Sequence, residues 1–395
     1  MSRWRRAALF CLLLLFAACE RRPQKPPEPK LVLAPAAFTD LRDWEDDDPR
    51  PALRAFLRGC EVWRQLPQER PVDGKPLFGT VGDWLPLCRE AGALADDPAA
   101  VRRFFEERFA VFAVRDNDRA EGLFTGYYEP LLAGSPVPDD RFRHPVYRLP
   151  DDLVTVDLGL FDPELEGRRI AGRLDGRRLV PYPDRAGIED GALAGRGLEL
   201  LWVDDPVALF FLHIQGSGRV RLPDGRLVRI GYAGQNGHAY RAIGRDLVEL
   251  GELAREEVSL FSIRDWLRAH PERAPEIMAR NRSYVFFREL GEVAEDEGPI
   301  GSMGVPLEPG RSLAVDRRFL PLGVPLWLDT TVPDPEGERP FRRLVVAQDT
   351  GGAIRGVVRG DIFFGTGPEA EFRAGHMKHL GRLFLLLPRA LAPTG

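Results

Sequence analysis

The chain has 395 residues, 44% of them hydrophobic, and a formal net charge of -5. That length supports one large domain or two with a sizeable core, and the acidic balance excludes a general nucleic-acid binder, which needs a basic surface. With 40 Gly and 35 Pro cutting the apolar runs short, the expected fold class is mainly β with some α.

Arg3, Arg5 and Arg6 precede an apolar stretch over 7–16 and the small residues Ala17 and Ala18 before Cys19. This is the pattern of a secretory signal ending in a lipobox. It gives a signal peptide over 1–18, lipid on Cys19 and a flexible tether over 19–35, where prolines and charges leave little to bury. Phe16 stands where Leu is commoner, so the alternatives are a signal cut elsewhere or a short anchor, although the run is short for a bilayer span. Glu20 follows Cys19; by resemblance to Gram-negative lipoproteins, the absence of Asp there directs the chain to the outer membrane, facing the periplasm. Cys60 and Cys88 are the cysteines left in the body, and they form a disulfide or stay as two buried thiols. Neither has a His or second Cys at ligand spacing, so no metal and no cofactor is expected.

Apolar residues at three- and four-residue spacing predict helices over 51–59 and 98–112. An aromatic strand follows over 122–130. From 134 to 230 short strands alternate with turns such as Asp175-Gly176 and Asp224-Gly225, the second a hairpin signal. His213 lies in this region and reads as a core residue of an apolar strand. Helical spacing returns over 237–254 and 262–281, with Ser262 as N-cap and Asp265 in the first turn. Strands are then expected at 284–287, 312–315, 325–328, 344–347, 361–364 and 383–387, and six short strands suit a compact barrel.

Three aspartates punctuate the last segment: Asp316, Asp349 in Gln-Asp-Thr-Gly-Gly, and Asp361 in Gly-Asp-Ile-Phe-Phe-Gly. An aspartate among apolar strand residues must be paired, hydrogen-bonded or desolvated, and desolvation readies a carboxyl for proton transfer. Each alone also reads blandly, Asp316 as a turn pair with arginine, the others as turn residues. Thr125-Gly-Tyr127-Tyr128, Gln215-Gly216-Ser217-Gly218 and Tyr232-Ala-Gly-Gln-Asn236-Gly-His238 combine rings, amides and glycines. Sugar rings present apolar faces and hydroxyl edges to such groups. Gln215 to Gly218 serve equally as a tight turn. His238, beside Tyr240, is a base candidate or a hydrogen-bonded structural residue. Ser217 lacks the Gly-x-Ser-x-Gly frame of a nucleophile elbow, which argues against a serine hydrolase.

Phe124-Thr-Gly-Tyr-Tyr-Glu-Pro130, the Gln215 and Tyr232 motifs and the three aspartates, in that order, resemble the MltA-type membrane-bound lytic murein transglycosylases. The resemblance implies a double-psi β-barrel domain with the C-terminal 3D region, a second β domain inserted in it and a groove between them. The boundaries that follow are 36–133 and 232–390 for the helical segments and barrel, and 134–231 for the insert. It implies an enzyme, a non-hydrolytic lyase that cleaves the MurNAc-GlcNAc β-1,4 bond of peptidoglycan glycan strands and leaves 1,6-anhydro-MurNAc ends. Asp361, in the family's Asp-Ile-aromatic-x-Gly pattern, is the implied single catalytic acid and base. Asp349 supports it by positioning or by raising its pKa, and Asp316 is structural. Thr125, Tyr127, Tyr128, Gln215, Gly216, Ser217, Tyr232, Asn236 and His238 are the candidate substrate-binding residues. The outer membrane, through lipid on Cys19, and wall-synthesis proteins are further candidate partners. The competing readings are a non-catalytic peptidoglycan-binding outer-membrane lipoprotein and a hydrolase in which Glu129 faces Asp361.

Overall fold

The computed structural model describes residues 28–392 except 95, 166–167 and 291–297. The leader and Cys19 lie outside the described residues. In chain order the elements are β1 (Leu31–Ala36), α1 (Arg50–Trp63), α2 (Val81–Gly92), α3 (Pro98–Arg108), β2 (Phe109–Asp116), β3 (Glu121–Glu129), β4 (Leu131–Ser135), β5 (His144–Tyr147), β6 (Val154–Asp157), β7 (Arg169–Asp175) and β8 (Arg178–Pro181). They continue through the single turn α4 (Arg185–Gly187), β9 (Glu199–Val203), α5 (Pro206–Gln215), β10 (Ser217–Arg221), β11 (Leu227–Gln235), α6 (Ile243–Glu249), α7 (Leu260–Ala269), α8 (Ala274–Ala279) and β12 (Val285–Leu290). The last are β13 (Ser312–Val315), β14 (Pro325–Asp334), β15 (Gly337–Asp349), β16 (Arg359–Thr366), α9 (Gly367–His376) and β17 (Lys378–Pro388).

Strands β17, β14, β15, β13, β16 and β3 hydrogen-bond in that order, and the β17–β3 pairing closes them into a six-stranded barrel. Two pairs are parallel (β13–β15 and β16–β3), flanking the antiparallel β13–β16 pair, the other three barrel pairings are antiparallel, and β2 with β1 extends the sheet beyond β17. Strand alternation sorts the side chains. Phe124, Leu313 and Ile362 turn inward to the main core, while Thr125, Ala314 and Asp361 face out. A second sheet of six strands, β12-β11-β10-β4-β9-β5, and a small one, β6-β7-β8, form the rest.

Several expectations change. Residues 284–287 fall in β12, which pairs with β11 rather than joining the barrel, and β3 takes the sixth barrel place. Residues 31–35, expected as tether, lie in β1 paired along its whole length with β2, because Leu31 and Leu33 pack against the core. The helix expected to run to 112 stops at Arg108, and the same apolar run continues as β2. His213 sits in a helix, α5, not a strand. Asp205 caps it by accepting from Val207 N and Ala208 N at 2.8 and 3.1 Å, Pro206 opens it and Gly216 at φ +79° ends it. Those are complete helix start and stop signals, masked because the helix is apolar nearly all round and shows no periodicity. Helix α6 occupies only part of 237–254. The later expected helix breaks into α7 and α8 around Pro271, and Ser259 is the N-cap, with Ser262 closing the capping box. The Asp224-Gly225 hairpin forms as β10–β11.

Cys60 of α1 and Cys88 of α2 are joined in a disulfide with a sequence separation of 28. It staples the helical layer, whose Phe56, Trp63, Trp84 and Phe105 pack edge-on and tilted over the outside of the barrel sheet.

Candidate active site

Five strands place one row of residues across the outer barrel wall: Lys378, Thr125, Asp361, Ala314 and Asp349 are successive cross-strand partners. Ala314 separates the two aspartates, so their Cα atoms stand two strand spacings apart, about 10 Å. Ala314 itself is buried, packed with Tyr127, Leu307, Ile354 and Phe363.

Asp361 accepts a hydrogen bond from Thr125 Oγ1 at 2.6 Å, and Thr125 Oγ1 accepts one from Arg359 Nη2 at 2.8 Å. Burial pushes the Asp361 carboxyl above the usual carboxylate range, Arg359 and the Thr125 bond pull it back, and Asp349 adds a small push upward. Desolvation wins, and the carboxyl holds its proton more tightly than in water. Arg359 lies two residues before Asp361, on the same face of β16. Burial lowers its own pKa against the pull of Asp361.

Asp349 is fixed by four donors: Ser302 N and Oγ, Thr350 N, and Tyr127 Oη at 2.8 Å. Burial first, then the Asp349 charge, keeps the Tyr127 phenol well above its ordinary pKa, so it stays a donor. Asp316 stands apart. Although burial raises its pKa, the Arg318 fork (3.0 and 2.6 Å) and Gly356 N hold it below the carboxylate range. It is a clamp at the end of β13, paired with Arg318, while Arg317 pairs with Asp73.

The other predicted residues separate into two groups. Tyr128 is buried, donates through Oη to Glu371, and its backbone N donates to Gln215 Oε1 at 3.1 Å. This contact ties the end of α5, with Gly216 and the buried Ser217, to the barrel strand β3. Tyr232 is half exposed on β11. Asn236 is 1% exposed and spends its amide inside the protein, donating to Pro183 O and Arg282 O and accepting from Tyr284 N. His238 Nε2 hydrogen-bonds Tyr182 O at 2.7 Å. Neither is brought to Asp361.

Tyr240, two residues further on, is near enough for the Asp361 charge to act on it. It lies in the loop after β11, and burial with the Asp361 charge raises its phenol. It also borders a cavity of about 230 Å³ lined by Phe211, Gln215, Ile243 and Leu260, among others, from α5, α6 and α7. Sequence reasoning noted Tyr240 without assigning it, and passed over Arg359 although the period of two puts it beside Asp361. Ser302 carried no signal, because a loop far away in sequence supplies it.

Glu129 does not face Asp361 as a second carboxylate. It is 1% exposed and ion-paired to Arg219 at 2.7 Å and Arg229 at 2.9 Å. Four residues along β3 from Thr125, its backbone stands about 13 Å from that level, and its two oxygens are each held by an arginine.

Two family models match this chain: the MltA specific insert domain over residues 123–288 and the 3D domain over 311–387. The chain is similar to membrane-bound lytic murein transglycosylase A of Vibrio cholerae, 33% identical over 385 residues, covering 96% of this chain and 93% of the relative. Among solved structures it resembles a membrane-bound lytic murein transglycosylase from Agrobacterium tumefaciens, with TM-score 0.80 and 37% identity, covering 91% of this chain and 98% of that one. It also resembles Escherichia coli MltA with bound chitohexaose, with TM-score 0.62 and 28% identity, covering 93% of each chain.

Proposed function

Because the chain belongs to the MltA family of membrane-bound lytic murein transglycosylases, we propose that its own Asp361 is the acid and then the base of glycan-strand cleavage. The observation that carries this is the one outward-facing, desolvated carboxyl with a raised pKa in the barrel row. Protonated Asp361 donates to the glycosidic oxygen between MurNAc and GlcNAc as the C1–O bond breaks, and GlcNAc leaves with a free hydroxyl. The resulting carboxylate takes the proton of the muramoyl C6 hydroxyl, whose oxygen bonds to C1 and closes the 1,6-anhydro ring. Asp361 ends protonated, ready for another cycle. The nucleophile belongs to the same sugar, so no second carboxylate has to activate water, and proximity supplies part of the rate. Burial of Glu129 between two arginines supports this one-carboxylate scheme.

Thr125 fixes the Asp361 rotamer, and Arg359 stops its pKa from rising so far that the base step fails. Asp349, oriented by Tyr127 and Ser302, stabilises positive charge developing at C1. Tyr127, Tyr128 and Gln215 hold the site's walls, while Tyr232 and Tyr240 offer rings to sugar faces. Chitohexaose binding by the E. coli relative supports a saccharide ligand. Gly216 and Ser217 shape the turn that brings Gln215 to β3. Asn236 and His238 act indirectly, by fixing the loop that carries Tyr240.

In the same reading, residues 134–231 are an insert in a barrel unit of 36–133 and 232–390, supported by a second sheet that draws β12 and the end of β11 from beyond the insert and most of β4 from before it. Lipid on Cys19 at the outer membrane, facing the periplasm, is supported by the leader pattern and by the membrane-bound relatives. No helix among the described residues is long and apolar enough to cross a bilayer. From Cys19 to Leu31 the chain reaches up to about 40 Å, enough to present the domain to the wall and to wall-synthesis proteins. Mass spectrometry of digested sacculi tests the reaction: 1,6-anhydro ends that vanish in Asp361→Asn are expected, whereas reducing ends or no cleavage by the unaltered enzyme overturn it.

A further inference from the structure

At the end of the barrel, away from Asp361, three arginines converge on one small cavity of about 100 Å³. Arg339 and Arg343 project from β15, on the same face as Phe341 between them, and Arg373 enters from α9. Asp361 and Phe364, which also lines the cavity, are an odd number of residues apart on β16. Alternation therefore puts this cavity on the other face of that strand from the row of aspartates.

The positive charges lining this cavity are incompletely balanced among the described residues. Arg311, close by, is fully paired with Asp47 at 2.7 and 2.8 Å. Arg373 pairs through Nη2 with Glu369 at 2.5 Å, but its Nε is buried with no hydrogen-bond partner among the described residues. Arg339 reaches Asp334 only at 3.5 Å. Arg343 makes no hydrogen bond or ion pair among the described residues, and its guanidinium lies 4.9 Å over the Phe341 ring. Burial first, then the charges of Arg311, Arg339 and Arg373, push the Arg343 pKa below its ordinary value, with Asp47 pulling the other way. A half-buried guanidinium without a counter-charge is costly, and the apolar walls from Val332, Phe341 and Phe364 strengthen any anion contact made inside.

We propose that the cavity between the β14–β15 hairpin and α9 is an anion site for a phosphate group, held by Arg343 and Arg373 with Arg339 at the rim. The unused edges come from two elements on different sides. A tetrahedral phosphate presents its oxygens in three dimensions and carries more charge than a carboxylate, which suits two guanidiniums approaching from different sides. The phosphate is either inorganic or the headgroup of an anionic lipid, and for a tethered protein both are within reach.

Titration calorimetry of the full chain with inorganic phosphate, in phosphate-free buffer, is expected to show one site. Arg343→Gln should weaken it at least tenfold and Arg339→Gln severalfold, with unchanged circular dichroism. Arg245→Gln, which removes an exposed arginine elsewhere, should leave it unchanged. Arg339 is half exposed, so its variant stays informative even if Arg343→Gln fails to fold. In a second arm, hydrogen exchange is followed on nanodiscs of phosphatidylcholine with and without phosphatidic acid. Slower exchange at 339–343 and 369–373 only with phosphatidic acid assigns the site to a lipid headgroup, and calorimetric binding without that protection assigns it to soluble phosphate. No binding in either arm, or binding unaffected by both arginine variants, overturns the proposal. Glycan cleavage by Asp361 is independent of every one of these outcomes.

Discussion

Thr125 and Asp361 are direct partners in the parallel pairing of β3 with β16, and the Thr125 hydroxyl donates to the carboxyl at 2.6 Å. The two residues are 236 positions apart in the chain. Their contact joins the aromatic motif that begins the matched region to the aspartate motif near its end, and closure of the barrel is what creates it.

Removing the carboxyl should remove the chemistry and spare the fold. Asp361→Asn and Asp361→Ala are expected to lower kcat on isolated sacculi by about 10²–10⁴-fold, the span of one general acid–base group, with melting temperatures at or above that of the unaltered protein. Near-normal turnover in either variant rules out Asp361 as the acid.

The pH profile carries a sign. Asp361 must start protonated, so kcat/KM should fall as pH rises through its raised pKa. Thr125→Val removes a bond that favours the ionised form, and Arg359→Gln removes a neighbouring positive charge. Each should move the alkaline limb to higher pH. Stability follows the same linkage. The folded state binds this proton more tightly than the unfolded chain does, so the contribution is whole below the ordinary carboxyl pKa and is lost as pH climbs through the raised one. Denaturation of Asp361→Asn at several pH values should show that slope flattened, and an alkaline limb that moves down in Thr125→Val contradicts the assignment.

Tyr127→Phe deletes one of four donors to Asp349 without changing the ring that packs on Phe363, 5.3 Å between centroids. A hydrogen bond to a charged group contributes about 1.5–3 kcal/mol, and urea denaturation should show a loss of that order. If Asp349 must be oriented for turnover, kcat falls with KM little changed. An equal rise in KM alone would make the tyrosine a ligand contact instead.

Glu129→Gln separates a structural from a catalytic carboxylate. It leaves two largely buried arginines without this partner, and breaking a buried pair costs about 3–5 kcal/mol, so the melting temperature should drop. The products at a permissive temperature should still carry anhydro ends. Loss of cleavage at unchanged stability would revive a two-carboxylate hydrolase.

The Cys60–Cys88 bridge closes a loop of 28 residues between α1 and α2. Loop-closure entropy predicts that reduction, or Cys60→Ser with Cys88→Ser, costs about 3–4 kcal/mol. Thermal denaturation with and without reductant reads this directly, and identical transitions would make the bridge stabilise nothing.

Sequence alone determined a good deal here. Short apolar runs divided by Gly and Pro located five of the barrel strands, turn chemistry located the β10–β11 hairpin, and the ordered motifs identified the family and made Asp361 the candidate acid. These are local signals, carried by neighbouring residues. Tertiary structure decided what local pattern cannot: that β12 leaves the barrel for the second sheet while β3 enters it, that the all-round apolar run at Asp205-Pro206 is helix α5, and that the cysteines meet. It also decided the fate of the acids. Glu129 and Asp361 are both carboxylates in strand-like surroundings, but pairing in space gives one two arginines and the other a threonine and a desolvated face. A carboxyl's proton affinity depends on charges and solvent within a few ångströms, and residues from opposite ends of the chain supply those here.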